Sequence, residues 1–490
     1  MNTSGPVWQV DLDEVQPLEL KAWRDILLRE LDAGARLVTL YGRRSEDRVT
    51  VTVVLQDREG SLSVLRTLAS VEFGYHELTT SHAAFQSFER ELHEQTGIRI
   101  SGHPWLKPIR YANRSQAAMA SHPFYKVAGK EVHEVAVGPI HAGVIEPGSF
   151  RFMCHGEQVL HLEIQLGYQH RGVEALLLRR DPRRLAPLVE TIAGDTSIAH
   201  TWAYCMAIER LSSCDLGFAS ELSRAVFLEL ERVAMHLASL AGLSADTGFL
   251  QGATTYGRLR TTAINTTMHL CGSRFGRTAI VPGGIRQPFS TEARRVVASS
   301  IRTLQQDLAI INDCFVESRS VQHRLRDVGV LTEDQARSLG IVGAAARASN
   351  IALDLRTETR TGAYAVGDLA IAIRPEGDCW ARAQVRIAEI DASLAWLATA
   401  IDAPVDWTLP RATVDALKPR RLVVAMTEGW RGEVVHCLET DDQGRLAHYK
   451  AQDPSLRNWM GLALALRGNE ISDFPICNKS FDLSYCGNDL

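Results

Sequence analysis

The feature that most constrains this chain is a series of long segments with helical apolar spacing between residues 198 and 399. They run over Ile198–Leu211, Ser220–Leu240, Tyr256–Gly272, Thr291–Arg324 and Trp380–Thr399. Apolar residues recurring every three to four positions over such lengths have to bury a continuous stripe, and several such stripes in sequence bury one another. Turn chemistry separates them at Asp246-Thr247-Gly248 and Pro282-Gly283-Gly284. The spacing predicts a helix bundle at the centre of the molecule. With 490 residues, of which 45% are apolar, the chain has material for a large core and for more than one domain.

The flanks read differently. Pro17–Ala33 and about Ala84–Gln95 have helical spacing, while Arg36–Tyr41 and Arg48–Leu55 are rich in β-branched residues, which predicts strands covered by helices. The polar stretch Ala112–Ser121 is the expected linker, so the domains are read as 1–120 and 121–490. After it, Val132–Val137, Ser149–Cys154 and Gln158–Gln165 alternate with turn residues as a small antiparallel sheet does. Near the end, Gly432–Leu438 and Arg445–Lys450 flank Asp441-Asp442-Gln443-Gly444, a hairpin signal, and a short helix follows over Ser455–Leu466. The fold class expected is therefore α+β, with a small N-terminal α/β unit ahead of a mainly helical domain that carries a small antiparallel sheet.

Charge and composition exclude several functions. A net charge of −5 argues against a general nucleic-acid binder. The most apolar windows, such as Leu394–Ile401 and Leu462–Leu466, are broken by charges well before the ~20 residues of a membrane span. The first residues have neither a basic start nor an apolar run, so an intracellular protein is expected. Its nine cysteines show no Cys-x-x-Cys spacing, which leaves no local thiolate clamp and favours small buried residues.

Four segments carry candidate chemistry. Gly138–Gly143 followed by Glu146–Phe152 places His141 at the tip of a turn, where an imidazole can move protons near neutral pH. In Gly167–Glu174, His170 and Glu174 lie one helical turn apart, within reach of each other or of a partner surface. In Glu190–His200, Asp195 or Thr196 is a candidate helix cap, and His200 and Tyr204 share a helical face on which imidazole and phenol can exchange a proton. The tail from Asp473 to Leu490 is apolar enough to dock.

Taken in order, GPIHAGVIEPGSFRF, LEIQLGYQHRGVEALL, AGDTSIAHTWAYCMAIE and SFDLSYCGNDL resemble the large subunit of group 4, membrane-associated, energy-converting nickel–iron hydrogenases, and its relative, the 49-kDa subunit of complex I. The N-terminal unit, with FERELHEQTGI and GHPWLKPIRY, resembles the complex I 30-kDa subunit, which is fused to the large subunit in the formate hydrogenlyase type. The resemblance implies a hydrogenase-large-subunit-like domain within an oxidoreductase complex. In the hydrogenases four thiolates hold nickel and iron, and their positions fall here on Ala193, Thr196, Ser484 and Gly487, with Cys486 one residue out of register. A methyl group, two hydroxyls and a glycine do not replace thiolates, so no nickel–iron centre is expected. The chain stops directly after the motif at Leu490, so the maturation cut of the nickel-containing relatives is not expected either.

In complex I the corresponding cavity accepts a quinone headgroup, and the family tyrosine carries over to Tyr204. The family's quinone histidine falls near Pro147 or Gly148, while His141 matches a neighbouring one. The resemblance thus implies that Tyr204 is the acceptor ligand, that His141 or His200 relays protons, and that His170, Arg171 and Glu174 shape a subunit interface. It further implies a partner small subunit with a 4Fe–4S cluster, antiporter-like membrane subunits, no cofactor held by this chain alone, and a peripheral place at the cytoplasmic face of the membrane. The alternative readings are a metal-free coupling subunit of an ion-translocating complex and an active hydrogenase.

Overall fold

A computed structural model of the chain describes residues 6–112, 121–143, 145–358, 362–408 and 410–490. The N-terminal unit is built on a three-stranded antiparallel sheet, Arg36–Ser45, Arg48–Gln56 and Leu62–Ser70, with the helices Leu20–Asp32 and Gln86–Thr96 on one face. Strand alternation explains its two-sided burial. Val49, Val51, Val53 and Leu55 point to the helices, where they meet Trp23, Leu27, Phe88 and Leu92. Val54, with Val38 and Tyr41 of the neighbouring strand, points the other way, onto Val424, Met426, Val435 and Cys437 near the C-terminus. The expected linker falls largely on residues 113–120, outside the described residues.

The sheet Val132–Val137, Ser149–His155 and Gln158–Gln165 forms as its turn residues suggest. The central bundle has the helices Ser197–Ser212, Phe218–Asp246, Leu250–Cys271, Thr291–Glu317 and Cys379–Ile401. The pattern read as one helix over Thr291–Arg324 is two helices. Ser318 is extended (φ −67°, ψ 108°), ends the first and caps the second, Arg319–Leu325, by accepting from Val321 N.

The C-terminal sheet departs most from the sequence reading. It has four antiparallel strands in the order Val7–Asp11, Arg421–Gly429, Gly432–Thr440, Leu446–Gln452. Val7 pairs with Ala425 and Asp11 with Arg421, so a segment read as part of the N-terminal unit completes the sheet of the large region. The helix Ser197–Ser212 packs on this sheet, and the helix Ser455–Ala465 follows its last strand.

The longest bundle helix, Phe218–Asp246, is buried on nearly all sides and carries charges into the interior. Glu229 pairs with Arg232 (3.1 Å) and Arg356 (3.0 Å), and Glu389 meets Arg347 (2.6 Å) and His236 (2.7 Å). Arg347 also holds Glu428 at 2.8 Å, and Arg232 donates to the carbonyls of Glu428 and Gly429. Buried ions are tolerated only when paired in this way. The network fixes the turn at Gly429–Gly432 from below, and that turn presents Trp430 and Arg431 to the site.

Candidate functional site

Three segments distant in sequence converge beneath the Gly429–Gly432 turn: the start of the Ser197–Ser212 helix, the tail from Asp482 to Leu490, and the strand ends around Asp453. Arg431 grips both oxygens of Asp195 at 2.7 Å each, reaches Thr196 Oγ1 at 3.2 Å and donates to the Asp482 carbonyl. Trp430 Nε1 donates to the Asp195 carbonyl at 2.9 Å. The fork geometry of a guanidinium makes this a fixed bidentate clamp rather than a loose charge pair. It joins the helix start to the tail.

Thr196 occupies the helix N-cap position, but its side chain does not cap. The carboxyl group of Glu231 takes that part, accepting from Ile198 N (2.8 Å) and Ala199 N (3.3 Å). Burial pushes the Glu231 carboxyl up to about 8, against the lowering effect of those two amides.

His200, one turn into the helix, is fully buried. Its Nδ1 lies 3.0 Å from His436 Nε2, its Nε2 lies 3.1 Å from Asp453 Oδ2, and His436 Nδ1 lies 2.7 Å from the Tyr449 hydroxyl. Tyr449, His436, His200 and Asp453 thus form an unbroken hydrogen-bonded chain inside the protein, each at most 1% exposed. Burial and the neighbouring His200 hold His436 well below the usual imidazole range. Asp453 is held below the usual carboxylate range by His200 and Arg431, with burial opposing them.

The relay ends where the thiolates of the resemblance would stand. A Cβ placed on Gly487 would lie 2.6 Å from Asp453 Cγ and 2.7 Å from its Oδ2, so the carboxylate fills the volume any side chain at 487 would need. Ser484 Oγ accepts from Gly487 N at 2.9 Å and lies 3.4 Å from Cys486 Sγ. The Cys486 thiol is pushed up to about 11 by burial, with the Glu146 carboxylate adding to it, and stays protonated. Ala193 contributes a buried methyl group. These residues do not fit a nickel–iron centre, which takes deprotonated sulfur.

The other residues singled out in the sequence are placed as follows. Tyr204 shares the helix with His200 but turns to different partners. Its hydroxyl donates to the Pro182 carbonyl (2.6 Å) and accepts from Leu185 N (3.2 Å), and burial pushes its pKa up. His141 Nε2 lies 2.9 Å from the Gly148 carbonyl, and Glu146 in the same loop accepts from Tyr485 N (3.2 Å) and Cys486 N (3.4 Å). Val144 of this loop lies outside the described residues. His170, Arg171 and Glu174 hold the chain's own segments together. His170 Nδ1 lies 2.7 Å from the Asp489 carbonyl, Arg171 donates to the carbonyls of Cys486 (2.8 Å) and Ile192 (3.1 Å), and Glu174 pairs with Lys450 at 3.1 Å. His170 and Glu174 therefore each bond elsewhere along the chain. Asp489 accepts from Gly167 N and Gln169 N, both at 2.8 Å, which docks the tail as its apolar residues suggest. Sequence reasoning did not find Arg431, His436, Asp453, Tyr449 or Glu231. The one available signal was a histidine inside the apolar run Val434-Val435-His436-Cys437-Leu438.

Comparison with known proteins finds relatives of one kind. Residues 246–406 match the model described as "Respiratory-chain NADH dehydrogenase, 49 Kd subunit". The membrane-bound hydrogenase subunit alpha of Pyrococcus furiosus is 29% identical over 71% of this chain and 85% of its own length. Formate hydrogenlyase subunit 5 of Escherichia coli is 27% identical over 93% of this chain and 85% of its own. Residues 246–406 thus carry the complex I 49-kDa domain, and the relatives of the longer chain are membrane-bound hydrogenase and formate hydrogenlyase subunits. The fold recurs in a chain of the archaeal membrane-bound sulfane sulfur reductase complex, with a TM-score of 0.70 and 23% identity over 75% of this chain and 100% of that one.

Proposed function

We propose that this chain is an oxidoreductase subunit of a membrane-associated complex of the complex I and membrane-bound hydrogenase kind. In it, electrons from a 4Fe–4S cluster of a partner small subunit reach a quinone-like acceptor, with no nickel–iron centre. The observation that carries this reading is Asp453 packed on Gly487 at the end of the Tyr449–His436–His200 chain. A carboxylate and a proton relay stand where the hydrogenase resemblance puts a thiolate. Reduction of a quinone takes two electrons and two protons. The electrons come from the cluster, and the protons pass through Asp453 from His200 and His436, since an imidazole can accept a proton at one nitrogen while releasing one from the other.

Arg431 keeps the site closed by tying Asp195 to the Asp482 carbonyl. Tyr204 acts from behind by fixing the Pro182–Leu185 turn. Among the described residues no helix is long and apolar enough to cross a membrane. Attachment at the cytoplasmic face therefore goes through antiporter-like membrane subunits and the iron–sulfur subunit. A second reading, a metal-free coupling subunit, is favoured by one fact: the Tyr204 hydroxyl is already committed to Pro182 and Leu185.

The test is nickel and iron content with hydrogen uptake on the detergent-purified native complex, followed by binding of a quinone analogue to wild type and Asp453→Asn. Iron without nickel, no hydrogen turnover and analogue binding weakened at least about tenfold in the variant are expected, about 1.4 kcal/mol or more. Nickel near one per complex with hydrogen turnover overturns the reading in favour of a hydrogenase. Absence of any analogue binding overturns it in favour of the coupling role.

A further inference from the structure

Two cysteines outside the site lie together in the interior. Cys379 opens the helix Cys379–Ile401 behind its cap Asp378, and Cys477 lies in the tail helix Phe474–Phe481, which packs against it. Both are fully buried. Gly329 makes room for the pair. A Cβ added there would lie 2.5 Å from the Cys477 sulfur and 3.4 Å from the Cys379 sulfur, so both sulfurs press on one point of the backbone.

A cation stands over them. Arg382 Nη2 lies 3.4 Å from Cys379 Sγ and donates to the Gly329 carbonyl at 2.9 Å, while its Nε donates to Ser480 Oγ at 2.8 Å. The Cys477 thiol, Arg382 and Ser480 together hold Cys379 below the usual thiol range although burial opposes them. Neighbouring cations and hydrogen-bond donors of this kind are what make a cysteine nucleophilic. At the lone buried thiols Cys205 and Cys437 burial outweighs the nearby Arg224 and Lys450 and pushes both up.

We propose that Cys379 and Cys477 form a redox-active dithiol that hydrogen peroxide closes to a disulfide, stapling the tail helix to the bundle. The Cys379 thiolate sulfur attacks one peroxide oxygen. The O–O bond breaks, hydroxide leaves and is protonated to water, and the sulfur becomes a sulfenic acid. The Cys477 sulfur then attacks the Cys379 sulfur, the S–O bond breaks, and the departing hydroxide leaves as water with the Cys477 proton. Two thiols and one peroxide give one disulfide and two waters. The tail helix leads straight into Asp482–Leu490, so the staple fixes the segment that carries Ser484 and Gly487.

The test uses the full chain in its native complex, treated with hydrogen peroxide, unfolded in an alkylating agent, digested and weighed by mass spectrometry. Expected are a cross-link between the peptides of Cys379 and Cys477, loss of two of the nine cysteines from alkylation, and restoration of both by dithiothreitol. Cys205 and Cys437 remain alkylated throughout. In Cys477→Ala the sulfenic acid of Cys379 accumulates and is trapped by dimedone. Nine alkylated cysteines after treatment, or Cys379 driven to sulfinic acid while Cys477 stays alkylated, overturns the proposal from the wild-type measurement alone.

Discussion

His200 Nδ1 and His436 Nε2 face each other at 3.0 Å inside the protein, so one of these two nitrogens carries the proton and the other receives it. Since Tyr449 lies at the far nitrogen of His436 and Asp453 at the far nitrogen of His200, moving a proton along this line reverses both tautomers together.

The first prediction concerns acid stability. His436 is held neutral in the fold, whereas an imidazole in the unfolded chain takes a proton near pH 6.5. The unfolded state then binds more protons, and stability falls as pH drops below about 6.5. Asp453, held low, adds a further loss below the ordinary carboxylate range near 4. The melting temperature of His436→Gln should fall less steeply between pH 7 and 5 than that of wild type. Some slope remains, because buried His236, lowered to about 4 in the fold, also takes up its proton near pH 6.5 once unfolded. Parallel curves for the two proteins would contradict the neutral assignment.

Glu231 predicts the opposite slope. Its carboxyl is raised to about 8, so the folded protein retains a proton that the unfolded chain releases near 4.3, and stability falls as pH climbs between these values. Glu231→Gln keeps an acceptor for Ile198 N and has no proton to lose. Its stability relative to wild type should rise with pH between 6 and 8, by up to about 1.4 kcal/mol per unit. Chemical denaturation at pH 6, 7 and 8 measures this, and a constant difference would refute it.

Gly343 predicts a steric effect on the site. Its φ is +69°, and a Cβ there would lie 2.0 Å from the Arg431 carbonyl oxygen, an approach only glycine permits. Gly343→Ala should destabilise by about 2 kcal/mol or more and displace the Arg431 turn. Ser338→Ala, on an exposed position of the preceding helix, serves as the control and should stay within about 0.5 kcal/mol.

For Tyr204 the structure predicts a modest loss. Tyr204→Phe removes a donor to Pro182 and leaves the buried amide of Leu185 without its acceptor, costing about 1–3 kcal/mol. Under the positioning role proposed above, quinone-analogue affinity should change by less than about threefold at a temperature where the variant is folded. Abolished binding would instead make the Tyr204 hydroxyl a direct ligand.

The bundle was legible because its helices carry apolar stripes of about four to eight turns, a signal that survives without knowledge of partners. The strand Arg421–Gly429 was not, since it is buried on both faces and its run of apolar residues does not alternate. Val7–Asp11 is five residues long and takes its meaning from a partner at Arg421–Ala425. The site divides the same way. His200 and Tyr204 share a helical face as their spacing requires, but what each touches is decided by residues from other elements: His436 and Asp453 for one, Pro182 and Leu185 for the other. Asp453 has no local motif that marks it, and Gly487 becomes informative only once the carboxylate beside it is known.

The pairing of Val7–Asp11 with Arg421–Ala425 has a consequence for how the protein is made. At about 5–20 residues per second, about 20–80 s pass on the ribosome between emergence of the two strands. Throughout that interval the N-terminal strand has no native edge to join. Tags or fusions at the amino terminus therefore act on the last sheet to be synthesised, and holding the early strand in reserve is a task for whatever meets the nascent chain.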